Sequence, residues 1–130
     1  MVSDRVGDFI IRLKNAGAIS NTKVVAPHSK HIEEIAFKLK KLGYVEEVKV
    51  TNDTPKTIEV TLAYDDRGNH KIKGVKRVSK PGRRMYVSAT EAHSVKNGLG
   101  ARLISTPRGV LTDSEARKVN AGGESLFEIW

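Results

Sequence analysis

Ser105, Thr106 and Arg108 stand side by side with Pro107 and Gly109 in the stretch STPRGVLTD, residues 105–113. A reversal of the chain needs only the proline and the glycine. The two hydroxyls add short-range donors and acceptors, and the guanidinium adds a fixed cation. Hydroxyls and exposed amides of this kind suit the minor-groove edges and 2′-hydroxyls that distinguish RNA. A basic run points the same way: Lys71, Lys73, Lys76, Arg77, Lys80, Arg83 and Arg84, with Tyr86 after it. Such cations displace counterions from a phosphate backbone, and a tyrosine face packs on a base or sugar.

Signatures of catalysis are thin by comparison. His28, His31, His70 and His93 fall at no metal-binding spacing, and the chain has no cysteine for a disulfide or thiolate site. Ser105 lacks the flanking glycines of a nucleophile elbow. Gly98-Leu99-Gly100 lacks the third glycine and the acidic residue of a dinucleotide loop. Asp65-Asp66 beside Arg67-Gly68-Asn69 reads as a hairpin tip, not a cation site. Neither a cofactor nor a metal is expected.

The elements that must position these residues are legible from periodicity. Val6, Phe9, Ile10 and Leu13 make one stripe of a helix over 4–16, with Ser3 as N-cap and Gly17 as stop. Lys23–Ala26 is a short strand ended by Pro27. Ser29 caps a second helix whose Ile32, Ile35, Ala36, Leu39 and Leu42 line one side before Gly43. The period then becomes two: 44–51 and 57–64 flank an Asn-Asp-Thr-Pro turn, and a further strand is expected near 70–78. Beyond Ser79-Lys80-Pro81-Gly82 the chain reads as short strands at 84–87, 101–106 and 124–130. Helical turns are expected over 90–97, stopped by Gly98. A short helix over 112–118 starts from the capping-box spacing of Thr112 and Glu115. The fold class is α+β in two small lobes. Residues 1–80 form an α-β-α-β-β lobe, and residues 81–130 a mostly-β RNA-binding lobe, with Pro81-Gly82 between them.

Charge separates the halves. The chain has 130 residues and a net charge of +8. Residues 1–70 hold 11 Lys/Arg and 10 Asp/Glu, net +1, whereas residues 71–130 hold 12 and 5, net +7. Solubility alone does not require that asymmetry, so the second half is expected to face a polyanion. No apolar run approaches the ~18 residues of a membrane helix. With no apolar signal core near the start, a soluble intracellular protein is expected.

Four separated segments resemble one family. GARLISTPRGVLTDSEAR (100–117) is similar to the signature of bacterial ribosomal protein eight of the small subunit. DFIIRLKNA (8–16) resembles that family's first helix, RVSKPGRRMY (77–86) its inter-lobe segment, and GGESLFEIW (122–130) its last strand. The resemblance implies a non-enzymatic constituent of the small ribosomal subunit in the cytoplasm, monomeric outside the ribosome. It implies direct binding to the central domain of small-subunit ribosomal RNA and a part in assembling the platform. Small-subunit proteins five and twelve are the implied neighbours, and its own operon's message a further RNA partner. It assigns RNA contacts to Ser105, Thr106, Pro107, Arg108, Gly109, Tyr86 and Glu124, to Lys80, Arg83 and Arg84, and on the first helix to Ser3, Arg12 and Asn15. Glu124 is expected to accept hydrogen bonds, not to serve as a charge partner. Pro107 departs from the family, which usually has a serine there; it removes a hydroxyl and an amide donor while stiffening the loop. Two other readings remain open at this point. One is a free-standing regulatory RNA binder. The other is a nucleic-acid-processing enzyme, which would have to draw on Glu91, Asp113, Glu115, Glu124 and Glu128.

Overall fold

The structure, a computed structural model, describes residues 4–51, 55–89 and 100–130. The expected cap at Ser3, the turn around Asn52-Asp53-Thr54, and the helical turns over 90–97 with Gly98 lie outside these residues, as do Glu91 and His93. Contacts divide the chain into two compact units: Asp8–Lys73, and Gly74–Trp130 with the segment up to Gly7.

Most of α1 (Arg5–Ala18) belongs to the first unit, with β1 (Lys23–Pro27), α2 (Lys30–Leu42), β2 (Val45–Thr51) and β3 (Thr57–Leu62). The three strands form an antiparallel sheet in the order β1-β3-β2. β3 shows the alternation its sequence promised, with Ile58, Val60 and Leu62 buried. They share a core with Phe9, Ile10 and Leu13 of α1 and Ile32, Ile35 and Leu39 of α2. Each such side chain contributes about 1.5–3 kcal/mol when fully buried. Ser29 caps α2 as expected, its Oγ accepting from the Ile32 amide at 3.2 Å. Gly43 ends the helix in the left-handed region at φ 91, where glycine carries no Cβ penalty.

Two boundaries differ from the sequence reading. Gly17 does not stop α1, which runs to Ala18. It is instead a point of close approach, because a Cβ there would lie 2.5 Å from His70 Nδ1. The strand expected near 70–78 shrinks to β4 (Val75–Arg77). The stretch before it makes only an isolated bridge, between Tyr64 and His70. Lys71 donates back to the Ala63 carbonyl, whereas Gly74 exchanges two hydrogen bonds with Trp130, each 3.0 Å.

The second unit holds β4, β5 (Tyr86–Val87), β6 (Ala101–Thr106), β7 (Gly109–Thr112), α3 (Asp113–Val119) and β8 (Gly123–Ile129). The sheet order is β4-β8-β6-β7, with β5 also paired to β8. β8 is therefore the central strand, and it pairs antiparallel with β4, β5 and β6. A register shift against Leu103 and Ile104 leaves Leu126 as an extra residue. Its carbonyl accepts from the amides of both Val78 and Ser79, so the bulge ties the chain after β4 to β8. Leu103, Ile104, Phe127 and Ile129 are fully buried, and Ala116 of α3 packs with Ile104 and Val87. The capping box is present in both directions: the Glu115 amide donates to Thr112 Oγ1 at 3.2 Å, and the Thr112 amide to Glu115 Oε1 at 3.1 Å. The α+β class expected from the sequence is the class observed.

Candidate nucleic-acid interface

The stretch 105–113 is not the open loop that its composition suggested. Thr106 pairs with Gly109, so β6 and β7 form a hairpin whose tip is only Pro107 and Arg108. Gly109 sits at φ 106, a conformation that side-chain-bearing residues rarely adopt. Proline suits the first corner of a tight turn because its φ is already set. Thr106 is largely engaged within the hairpin. Its Oγ1 donates to the Gly109 carbonyl at 2.8 Å and accepts from the Arg108 amide at 3.1 Å. A hydroxyl has one proton and two lone pairs, so one acceptor position remains open. The exposed Arg108 side chain has no acidic partner among the described residues.

Three of the residues singled out in the sequence form a single row across the sheet. Tyr86 of β5 pairs with Glu124 of β8, and Glu124 pairs on its other side with Ser105 of β6. Residues directly opposite in antiparallel strands project from the same face, about 4.5–5.5 Å apart at Cβ. Tyr86 is 69% exposed, too open for a core tyrosine, and its ring is available to stack. Close strand approach sets the row. A Cβ on Gly123 would lie 2.0 Å from the Ser105 carbonyl oxygen, and one on Gly122 would lie 2.6 Å from that of Val87.

Glu124 corrects an expectation. Its Oε2 accepts from Arg84 Nη1 at 3.0 Å and from Ser79 Oγ, so it is a charge partner as well as an acceptor. A half-buried carboxylate needs compensation, and the tight turn after Ser79 brings Arg84 to it. That turn is closed by reciprocal amide–carbonyl bonds between Lys80 and Arg83, 3.0 and 2.9 Å, with Pro81 and Gly82 at the tip. Lys80 and Arg83 are exposed and make no ion pair among the described residues. The row thus has uncompensated cations beside it.

Comparison with known proteins decides what kind of protein carries this arrangement. The sequence model of the family described as ribosomal protein S8 matches residues 4–130. Curated relatives named small ribosomal subunit protein uS8 match over the full chain: 44% identity with that of Persephonella marina (100% of both chains), 42% with Acholeplasma laidlawii (99% of the relative) and 43% with Spiroplasma kunkelii (100% of both). The chain belongs to the ribosomal protein S8 family. As a member it has a structural role in the small ribosomal subunit, in the cytoplasm, and is not an enzyme. The resemblance read from four short segments holds along the whole chain.

Of the remaining residues that the family likeness had assigned, Ser3 lies outside the described residues, and Arg12 and Asn15 lie in the unit Asp8–Lys73. Arg12 is committed there, its Nε to Asp8 at 2.9 Å and its Nη1 to the Val25 carbonyl at 2.8 Å. Asn15 is exposed on the same helix. Sequence reasoning missed Ser79, which is fully buried and holds Glu124. One serine before Lys-Pro-Gly gives no sign that a bulge at Leu126 will bury it. It also missed Gly123, whose role depends on the register of β6 against β8.

Proposed function

We propose that this member of the ribosomal protein S8 family binds small-subunit ribosomal RNA directly through the unit that contains β4–β8. The observation that carries the reading is the row of Tyr86, Glu124 and Ser105 on one face, bordered by cations that make no ion pair among the described residues. In this reading the exposed Tyr86 ring stacks on a base or ribose. Ser105 and the open acceptor position of Thr106 meet 2′-hydroxyls or groove edges, and the second carboxylate oxygen of Glu124 accepts from a base amino group. Lys80, Arg83, Arg84 and Arg108 address phosphates and supply most of the salt-dependent affinity. Pro107 makes no contact through an amide but reduces the freedom the hairpin tip loses on binding. Arg12 and Asn15 of α1, and Ser3, contact further RNA.

The central domain of the small-subunit RNA is the proposed target, with platform assembly beside small-subunit proteins five and twelve, and repression of its own message through a similar RNA fold. These follow from the family likeness. Hydroxyl-radical footprinting of central-domain RNA with the full chain and with a Tyr86→Ala, Ser105→Ala double variant tests the core of the reading. Protection should disappear at one local RNA site and persist elsewhere. An unchanged footprint at equal occupancy would remove the row from the RNA interface.

A further inference from the structure

A concave surface lies on the other side of the same sheet. Arg102 and Ser105 are three residues apart on β6, so their side chains leave opposite faces. Lys76 of β4 and Arg102 of β6 both pair with Glu128 of β8, on the face away from Ser105, Glu124 and Tyr86. There Lys76, Val78, Lys80, Arg83, Met85 and Glu128 line a groove of about 350 Å3.

The charges around this groove are not balanced. Glu128, the one carboxylate of the lining among the described residues, is held by Arg102 at 3.4 Å. Arg77, which also borders the groove, is held by Asp4 at 2.6 Å. Lys76, Lys80 and Arg83 have no ion pair among the described residues. A concavity walled by like charges concentrates positive potential, which an anion relieves. The volume is at the small end of ligand sites, roughly 300–1,000 Å3. Val78 and the exposed Met85 give one wall an apolar surface, and a thioether adapts to a sugar or base.

We propose that this groove takes one phosphodiester of an RNA strand that passes the sheet edge at the Lys80–Arg83 turn, with its ribose against Met85. Lys76, Lys80 and Arg83 neutralise the phosphate. Lys80 and Arg83 are phosphate-facing cations of the RNA-binding reading above, on which this inference rests; the groove adds Lys76 and Met85 to them on the face opposite the row. Free phosphate shares the chemistry. The groove is assigned to RNA because the turn that supplies Lys80 and Arg83 also carries Arg84 to Glu124 in that row.

The chain has two methionines, Met1 and Met85, so a methyl-13C-methionine label on the full-length protein places one reporter at the groove. Central-domain small-subunit RNA and inorganic phosphate are titrated separately at matched ionic strength. RNA should move the Met85 methyl resonance to a limit at one equivalent, whereas the same total phosphate in inorganic form should leave it in place. A Lys76→Gln variant, checked for an unchanged melting temperature, should lose that shift. Its slope of log affinity against log salt should also fall by about 0.7–0.9, the loss of one phosphate contact. Footprint protection that depends on Tyr86 should persist. If the native chain binds the RNA but the Met85 resonance stays still, or if the variant keeps both shift and slope, the groove assignment is overturned while RNA binding stands. Phosphate alone driving the resonance to the RNA limit would make the groove a small-anion site and overturn the RNA assignment. Absence of any RNA binding by the native chain would instead overturn the functional reading itself.

Discussion

Ser79 Oγ donates to Glu124 Oε2 from a position with no solvent exposure, and the same oxygen accepts from the Met85 amide at 3.2 Å. One buried hydroxyl thereby fixes both the carboxylate of the row and the chain that enters Tyr86. Glu124 keeps Oε1 directed elsewhere, since Ser79 and Arg84 both bind Oε2.

Ser79→Ala should therefore act on stability and specificity together. Stranding the Met85 amide and a carboxylate oxygen costs about 1–3 kcal/mol, read from denaturant midpoints. Cognate RNA should bind more weakly at temperatures where the variant remains folded, while random RNA of equal length should bind as before. Equal weakening of both RNAs would show Ser79 to be a purely structural residue.

Gly123→Ala tests the spacing of the row. The added methyl would meet the Ser105 carbonyl oxygen at 2.0 Å and its carbon at 2.9 Å, and backbone cannot swing aside as a flexible side chain can. Relief requires β6 to part from β8, at an expected cost of roughly 1–3 kcal/mol. Gly82→Ala is the matched control: open space surrounds that position, and the change should stay within about ±0.5 kcal/mol. Calorimetric melting of the two variants decides, and a Gly123→Ala chain as stable as the native one would disprove the close approach.

The fold was legible wherever a local rule sufficed. Ser29, Gly43 and the Thr112–Glu115 pair could be read as helix ends because capping depends on neighbours in sequence. β3 could be read because one of its faces is buried. What remained hidden depends on pairing between distant segments. β7 went unread because Gly109–Thr112 is short and follows a turn, so nothing local separates it from a loop. The row itself needs the register of β8 against both β5 and β6. Tyr86, Glu124 and Ser105 were singled out, but 38 residues separate Tyr86 from Glu124 and 19 separate Ser105 from Glu124 in the numbering. Ser79 stayed invisible because its burial follows from the Leu126 bulge.

Asp65 gives a pH signature to the hairpin tip of the first unit. Its carboxylate accepts the amides of Asn69 and Arg67, each at 2.9 Å. The Asn69 bond in particular holds its pKa below the usual 3.8. A carboxyl depressed in the folded state stabilises above its unfolded pKa, and that contribution is lost as pH falls below 3.8 through the folded value. The difference in urea midpoint between the native chain and Asp65→Ala should be present at pH 7 and shrink in acid. A difference independent of pH would mean that the charge of Asp65 has no part in the turn.

Thr106 separates reading an RNA site from steering toward it. Its hydroxyl already spans Gly109 and Arg108, so Thr106→Val both loosens the hairpin tip and removes the open acceptor position. A loss of roughly 1–3 kcal/mol in cognate affinity is expected, with the salt slope unchanged because no counterion is released by a neutral group. Thr106→Ser retains the hydroxyl and should recover most of that loss. Arg108→Ala should behave in the opposite way, lowering the salt slope by up to about one unit and weakening cognate and random RNA alike. Binding isotherms over a series of salt concentrations for the three variants supply the comparison. Thr106→Val weakening random RNA as much as cognate, or failing to be rescued by Thr106→Ser, would leave the hydroxyl as a brace for the hairpin and assign recognition to Ser105, Glu124 and Tyr86 alone.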